Sequence, residues 1–239
     1  MAATATTGGI TDSSNLSATG NVTLNDVATA GITLDTLEAD ANVILTAAGN
    51  TAITNDAALA LQGAVTGTLA ATATTGGITD SSNLSATGNV TLNDVATAGI
   101  TLDTLEADAN VILTAAGNTA ITNDAALALQ GAVTGTLAAT ATTGRITDSS
   151  NLSATDNVTL NDVATAGITL DTLEADANVI LTAAGDTAIT NDAALALQGA
   201  VTGTLAATAT TGGITDSSNL SATGNVTLND VATAGITLD

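Results

Sequence analysis

The octapeptide Ala3-Thr4-Ala5-Thr6-Thr7-Gly8-Gly9-Ile10 recurs at Ala71, at Ala139 with one change, and at Ala207, which sets a 68-residue period. Near-identical units constrain the fold strongly, because each must bury its apolar face against a copy of itself. The repeats are 1–67, 68–135, 136–203 and a partial 204–239. The first two agree wherever both are present, except that Met1 stands where the second has Leu69. The third departs at Arg145, Asp156 and Asp186, which replace the residues found at Gly77, Gly88 and Asn118. The last copy stops mid-unit at Asp239, as expected of a segment from a longer array.

A 68-residue unit is longer than the common helical repeats, and it divides again. The second copy splits into three related lines: a 21-residue line at 68–88, a second 21-residue line at 89–109 and a 26-residue line at 110–135. They share Gly77-Ile78-Thr79, Gly99-Ile100-Thr101 and Ala120-Ile121-Thr122. Within the lines, Val90 and Leu92 alternate with Thr91 and Asn93, and Ile100 and Leu102 with Thr101 and Asp103. Leu105, Ala107 and Ala109 alternate with Glu106 and Asp108 in the same way. A period of two places the apolar side chains on one face of a strand. Gly, Asn, Asp and Ser separate the segments, as turns require. Each line therefore reads as three short strands, too short to stand without neighbours.

Stacking line on line pairs each strand in parallel with its counterpart. The expected fold is all-β: a right-handed parallel β-helix (β-solenoid), in which each 68-residue repeat winds two 21-residue coils and one 26-residue coil. The right hand follows from the usual sense of parallel crossovers. Residues 1–239 read as a single continuous solenoid, ten coils and the start of an eleventh, about 50 Å long at the usual strand spacing. One column fits badly: Asp80 and Asn123 fall opposite Leu102, so either a polar pair sits near a corner or the alignment slips by one residue there.

Composition agrees with a thin aliphatic core. The chain has no Pro, Cys, His, Phe, Tyr or Trp, and 45% of its residues are hydrophobic. Regular apolar placement and a mean hydropathy of +0.41 favour folding over acidic disorder. The net charge of -22, with Arg145 the only cation, excludes nucleic acid and anionic membranes as partners held by charge. The absence of His and Cys removes most neutral-pH acid-base and thiol chemistry. Met1 is followed by neither a basic start nor an apolar stretch, and no run is long enough to span a bilayer.

Four repeated features are candidates for function. A threonine recurs in every coil at Thr11, Thr33, Thr54, Thr79, Thr101 and Thr122 and onward, which reads as a ladder open to ice binding or as plain solvation. Its second column is Ser81, Asp103 and Asp124, so no paired Thr-x-Thr ladder forms. The acids of the first copy are Asp12, Asp26, Asp35, Glu38, Asp40 and Asp56. Asp35 and Asp56 fall in one column, where calcium would relieve repulsion, although a solvated acidic face explains them as well. Identical acids in every copy argue against a glycosidase, whose site occurs once. Five extra residues around Gln130-Gly131-Ala132-Val133-Thr134-Gly135 are expected to project as a knob from every third coil. Asn-x-Ser/Thr acceptors occur at Asn15, Asn21, Asn83, Asn89, Asn151, Asn157, Asn219 and Asn225, and read equally as turns. The three substitutions avoid the apolar columns, and Arg145 implies a corner with room outside and no strict need for positive φ.

Leu84-Ser85-Ala86-Thr87-Gly88-Asn89-Val90-Thr91-Leu92, Asn110 to Gly117 and the Gly-Ile-Thr-Leu-Asp-Thr-Leu-Glu-Ala segment resemble the repeats of large bacterial filamentous-haemagglutinin-like adhesins. That resemblance implies a secreted β-helix forming the shaft of a surface protein. No catalytic, cofactor-binding or metal-ligating residue is assigned. The expectation is a structural, non-catalytic shaft segment of a giant extracellular repeat protein, forming or spacing a filament, sheath or adhesin stalk. It would associate with itself end to end or laterally. The alternative is a calcium-binding or ice-binding repeat module.

Overall fold

The computed structural model describes residues 1–239, which form two compact units, Met1–Ile121 and Thr122–Asp239. Both consist of strands and turns without a helix.

In the first unit, successive strands alternate between two parallel sheets. The first sheet contains Ala2–Ala5, Val22–Asp26, Val43–Ala47, Leu59–Val65, Ile78–Ala86 and Ile100–Ala107. The second contains Ile10–Thr11 with Leu16–Ala18, then Ile32–Ala39, Thr51–Asn55, Leu69–Ala73, Val90–Asp94 and Asn110–Ala115. Each strand pairs with the next but one along the chain, so one turn of the solenoid is two strands. In the second unit, Leu137–Ala141, Val158–Asp162, Asn178–Ala183, Leu195–Val201, Ile214–Ala222 and Ile236–Thr237 make one sheet. Leu127–Val133, Ile146–Ala154, Ile168–Ala175, Thr187–Asn191, Leu205–Ala209 and Val226–Asp230 make the other. The expected all-β parallel solenoid is the fold.

Two of the three lines are single 21-residue coils: Leu69 pairs with Val90, and Val90 with Val111. Each holds two strands rather than three, because Ile100–Leu102 and Leu105–Ala107 run on as one bulged strand. The 26-residue line contains three strands, Asn110–Ala115, Thr119–Asn123 and Leu127–Val133, and so winds once and a half. The expected knob is the last of these. Gly131 pairs with Leu152 and Ala132 with Ser153, inside the ladder. Glycine makes this possible: at the equivalent Gly63 φ is +110°, and a Cβ would collide with the Leu45 carbonyl oxygen.

A repeat is therefore seven strands, or three and a half turns, and it inverts. Val22–Asp26 lies in the first sheet, whereas the identical Val90–Asp94 lies in the second. Leu137–Ala141 and Leu205–Ala209 are exchanged in the same way within the second unit.

The core fills the space between the facing sheets. Strands such as Val90–Asp94 alternate buried and half-exposed residues, as their period of two dictates. Val22, Ile32, Leu37, Leu61, Leu92, Ile100 and Leu105 are fully buried. Identical aliphatic side chains stacked at one strand spacing fill this layer without any ring.

The misfitting column resolves as a slip of two positions. Thr51 lies opposite Ile32, Ile53 opposite Leu34, and Asn55 opposite Leu37. A slip of two keeps side chains on their own face, where a slip of one would have inverted them. Asp80 does not face Leu102 either, because the register breaks after Thr79–Thr101 and resumes at Leu84–Leu105.

Candidate functional site

The same slip breaks the threonine ladder. Thr11 faces Thr33, but Thr33 faces Ala52, Ala52 faces Ala70, and Ala70 faces Thr91. Thr54 belongs to a different row, opposite Thr72. The expected threonine in every coil is thus interrupted by alanine pairs, and no long regular hydroxyl array covers either sheet.

The acids divide into three kinds. Asp26, Asp94 and Asp162 end their strands with the carboxylate turned inward, each about 1% exposed. Asp26 Oδ2 accepts the Gly31 N–H at 2.8 Å and Oδ1 accepts the Ala28 N–H at 3.2 Å, which closes the corner Val27-Ala28-Thr29-Ala30. Gly99 and Gly167 donate in the same way to Asp94 and Asp162, both at 2.8 Å. Gly31 must be glycine, since its φ is +91°.

The second kind caps bulges. Asp12 Oδ1 accepts the Asp35 N–H at 3.0 Å, and Oδ2 accepts the Thr36 N–H at 2.9 Å and the Thr36 hydroxyl at 3.0 Å. Asp80 does the same for Asp103 and Thr104, and Asp148 for Asp171 and Thr172. Slight burial opposes ionisation of Asp12, but the Asp35 and Thr36 donors outweigh it and hold the carboxyl below its ordinary value of 3.8.

The third kind is exposed: Asp35, Glu38, Asp40 and Asp56 and their equivalents. Asp35 and Asp56 do not share a ladder position, because Asp35 lies in the bulge between Leu34 and Leu37. They do line one shallow cleft of about 230 Å³ with Asn15, Thr36, Thr54 and Thr74. Asp171 and Asp192 line its counterpart. Asp56 Oδ1 already accepts the Thr74 hydroxyl at 2.7 Å, and nowhere do three acids converge.

The residue that most shapes the coil is Asn55, with its equivalents Asn123 and Asn191, all 0% exposed. Asn55 Oδ1 accepts the Ala39 N–H at 2.7 Å, while Nδ2 donates to the carbonyls of Ala39 at 3.1 Å and Ala58 at 2.6 Å. The eight-residue strand Ile32–Ala39 overruns its five-residue neighbour Thr51–Asn55. Asp12 from the preceding coil and Asn55 from the following one supply the partners that the ladder lacks. A recurring signal marks the buried corner acids and the buried asparagines: Asp26, Asp94 and Asp162 each precede a glycine by five positions, and each buried Asn ends a Thr-Ala-Ile-Thr-Asn strand.

Two of the three substitutions in the third repeat fit this framework, and Asp156 in place of glycine has no structural explanation. Asn50 Oδ1 accepts the Thr68 N–H at 3.0 Å, and Asp186 Oδ1 accepts the Thr204 N–H at 2.8 Å, so the Asn-to-Asp change keeps the acceptor. The Thr204 N–H and hydroxyl lower the Asp186 pKa. Arg145 is exposed, does not adopt positive φ, and donates from Nε to the Ala166 carbonyl at 3.1 Å.

These polar groups act on the backbone of neighbouring coils, copy after copy, which defines a parallel β-solenoid repeat protein. Residues 48–116, 116–184 and 184–239 match the model of a family described as repeats of unknown function (DUF5649), and the chain belongs to that family. Neither a curated protein nor a solved structure matches it.

Proposed function

We propose that the chain is a structural, non-catalytic shaft segment of a giant extracellular repeat protein, which builds or spaces a surface filament, sheath or adhesin stalk and associates with further copies end to end or laterally. One observation carries this reading. The best-held polar side chains, Asp12, Asp26 and Asn55, bind the backbone of their own or adjacent coils and recur in each full repeat. A stiff fold needs such groups, whereas a site for chemistry normally breaks the repeat. The likeness to filamentous-haemagglutinin-like repeats supports the surface location.

Arrays with increasing numbers of repeats test it. Lengths in electron micrographs should grow by about 17 Å per repeat, three and a half strand spacings. Arrays whose length does not scale with repeat number contradict the proposal.

The paired acids of the Asp35–Asp56 cleft, repeated at Asp171–Asp192, favour one second reading, a weak calcium module. Titration calorimetry with calcium that gives no heat, together with an unchanged melting temperature, removes it.

A further inference from the structure

Resting on the shaft reading, we infer that a second copy of this chain docks side by side through alternating neutral and acidic bands, the acidic band of one copy lying on the neutral band of the other.

The bands follow from the half-turn in the repeat. In the first unit, the first-sheet strands Val22–Asp26, Val43–Ala47 and Leu59–Val65 turn Thr23, Asn25, Ile44, Thr46 and Gln62 outward. Their only charged residue, Asp26, is buried. Directly behind, the second sheet presents Asp35 and Glu38 from Ile32–Ala39. Along the next repeat the faces exchange. Thr91, Asn93 and Ile112 now lie on the second sheet, and Asp103 and Glu106 on the first. Each sheet of the unit thus carries one neutral band and one acidic band, in opposite order.

This order decides how like-charged copies can approach. Acid against acid repels, and carboxylates accept hydrogen bonds but donate none. The neutral bands supply the missing donors, threonine hydroxyls and Asn and Gln amides. When two parallel copies lie side by side at the same height, first sheet against second, every acidic band meets a neutral one. Each copy keeps a free sheet of the complementary kind, so the contact is open-ended and extends laterally. Six strands cover roughly 500 Å² of one face. A stable interface needs about 800 Å² per partner, so association is weak in a short chain and strengthens with repeat number.

Isosteric charge changes test this by sedimentation velocity over a range of concentrations. Asn25→Asp, Asn93→Asp, Asn161→Asp and Asn229→Asp together put acids into the neutral bands. Asn15→Asp, Asn83→Asp, Asn151→Asp and Asn219→Asp add the same charge to the acidic bands. The first set should weaken association about tenfold or more, through acid facing acid. The second should leave it unchanged or strengthen it. Equal weakening by both sets, or a wild-type chain that stays monomeric at every concentration, overturns the contact; the growth of length with repeat number, which tests the shaft itself, is read separately. Circular dichroism on the same samples separates this from loss of fold: a wild-type chain without sheet signal would overturn both.

Discussion

The Asn55 side chain meets the backbone of Ala39 as a further strand would, accepting its N–H at 2.7 Å and donating to its carbonyl at 3.1 Å. The amide group stands in for the peptide that the shorter neighbouring strand cannot provide. It sits beyond the last ladder pair, Leu37 with Asn55 itself.

Replacing Asn55 should therefore cost more than a surface polar residue does. Asn55→Ala strands the buried Ala39 N–H and removes a donor to Ala58, a loss of about 2–4 kcal/mol in a denaturant melt. Asn55→Asp should be worse, because an acceptor then faces two carbonyl oxygens. An aspartate variant as stable as wild type would contradict this role.

Asp12 gives the solenoid an acid-sensitive joint. Its folded pKa lies below the ordinary 3.8, so its contribution is present above that value and fades as pH falls through the folded pKa. Asp12→Asn should lower stability at neutral pH and flatten part of the acid limb of a pH–stability profile. Parallel profiles for the two proteins would show that the carboxylate does not cap the Asp35–Thr36 bulge.

Two glycines should respond in opposite ways. At Gly63, with φ +110° and the Leu45 carbonyl oxygen in the path of a Cβ, alanine should cost at least about 2 kcal/mol. At Gly8 nothing lies within 4 Å, so alanine should be neutral or slightly stabilising. Equal effects in thermal melts would place Gly63 outside the ladder.

Much of this architecture is legible in the sequence, because alternation such as Val90-Thr91-Leu92 leaves only one face to bury. The coils of 21 to 22 residues are legible because Gly77-Ile78-Thr79 and Gly99-Ile100-Thr101 repeat the same letters at stacked positions. The half-turn is hidden for the opposite reason. Its short steps set Thr51 on Ile32 and Asn55 on Leu37, pairs that share no resemblance and that an alignment by likeness slides apart. The threonine ladder failed with that register. The burial of Asp26 is masked because a carboxylate between Asn25 and Val27 looks like surface charge, and only its spacing to Gly31 shows what it caps.

Dipolar electron spin resonance tests the inversion of each repeat directly. Spin labels at Thr23→Cys and Thr91→Cys, in a chain otherwise free of cysteine, mark the same residue of two successive repeats. With three and a half turns per repeat the labels lie on opposite sheets; an axial rise of about 17 Å and a sheet-to-sheet spacing of about 10 Å separate the two backbones by about 20 Å, and the outward-pointing labels lie farther apart than that. A whole number of turns would put both on one sheet at about 15 Å, and that shorter distance would contradict the account.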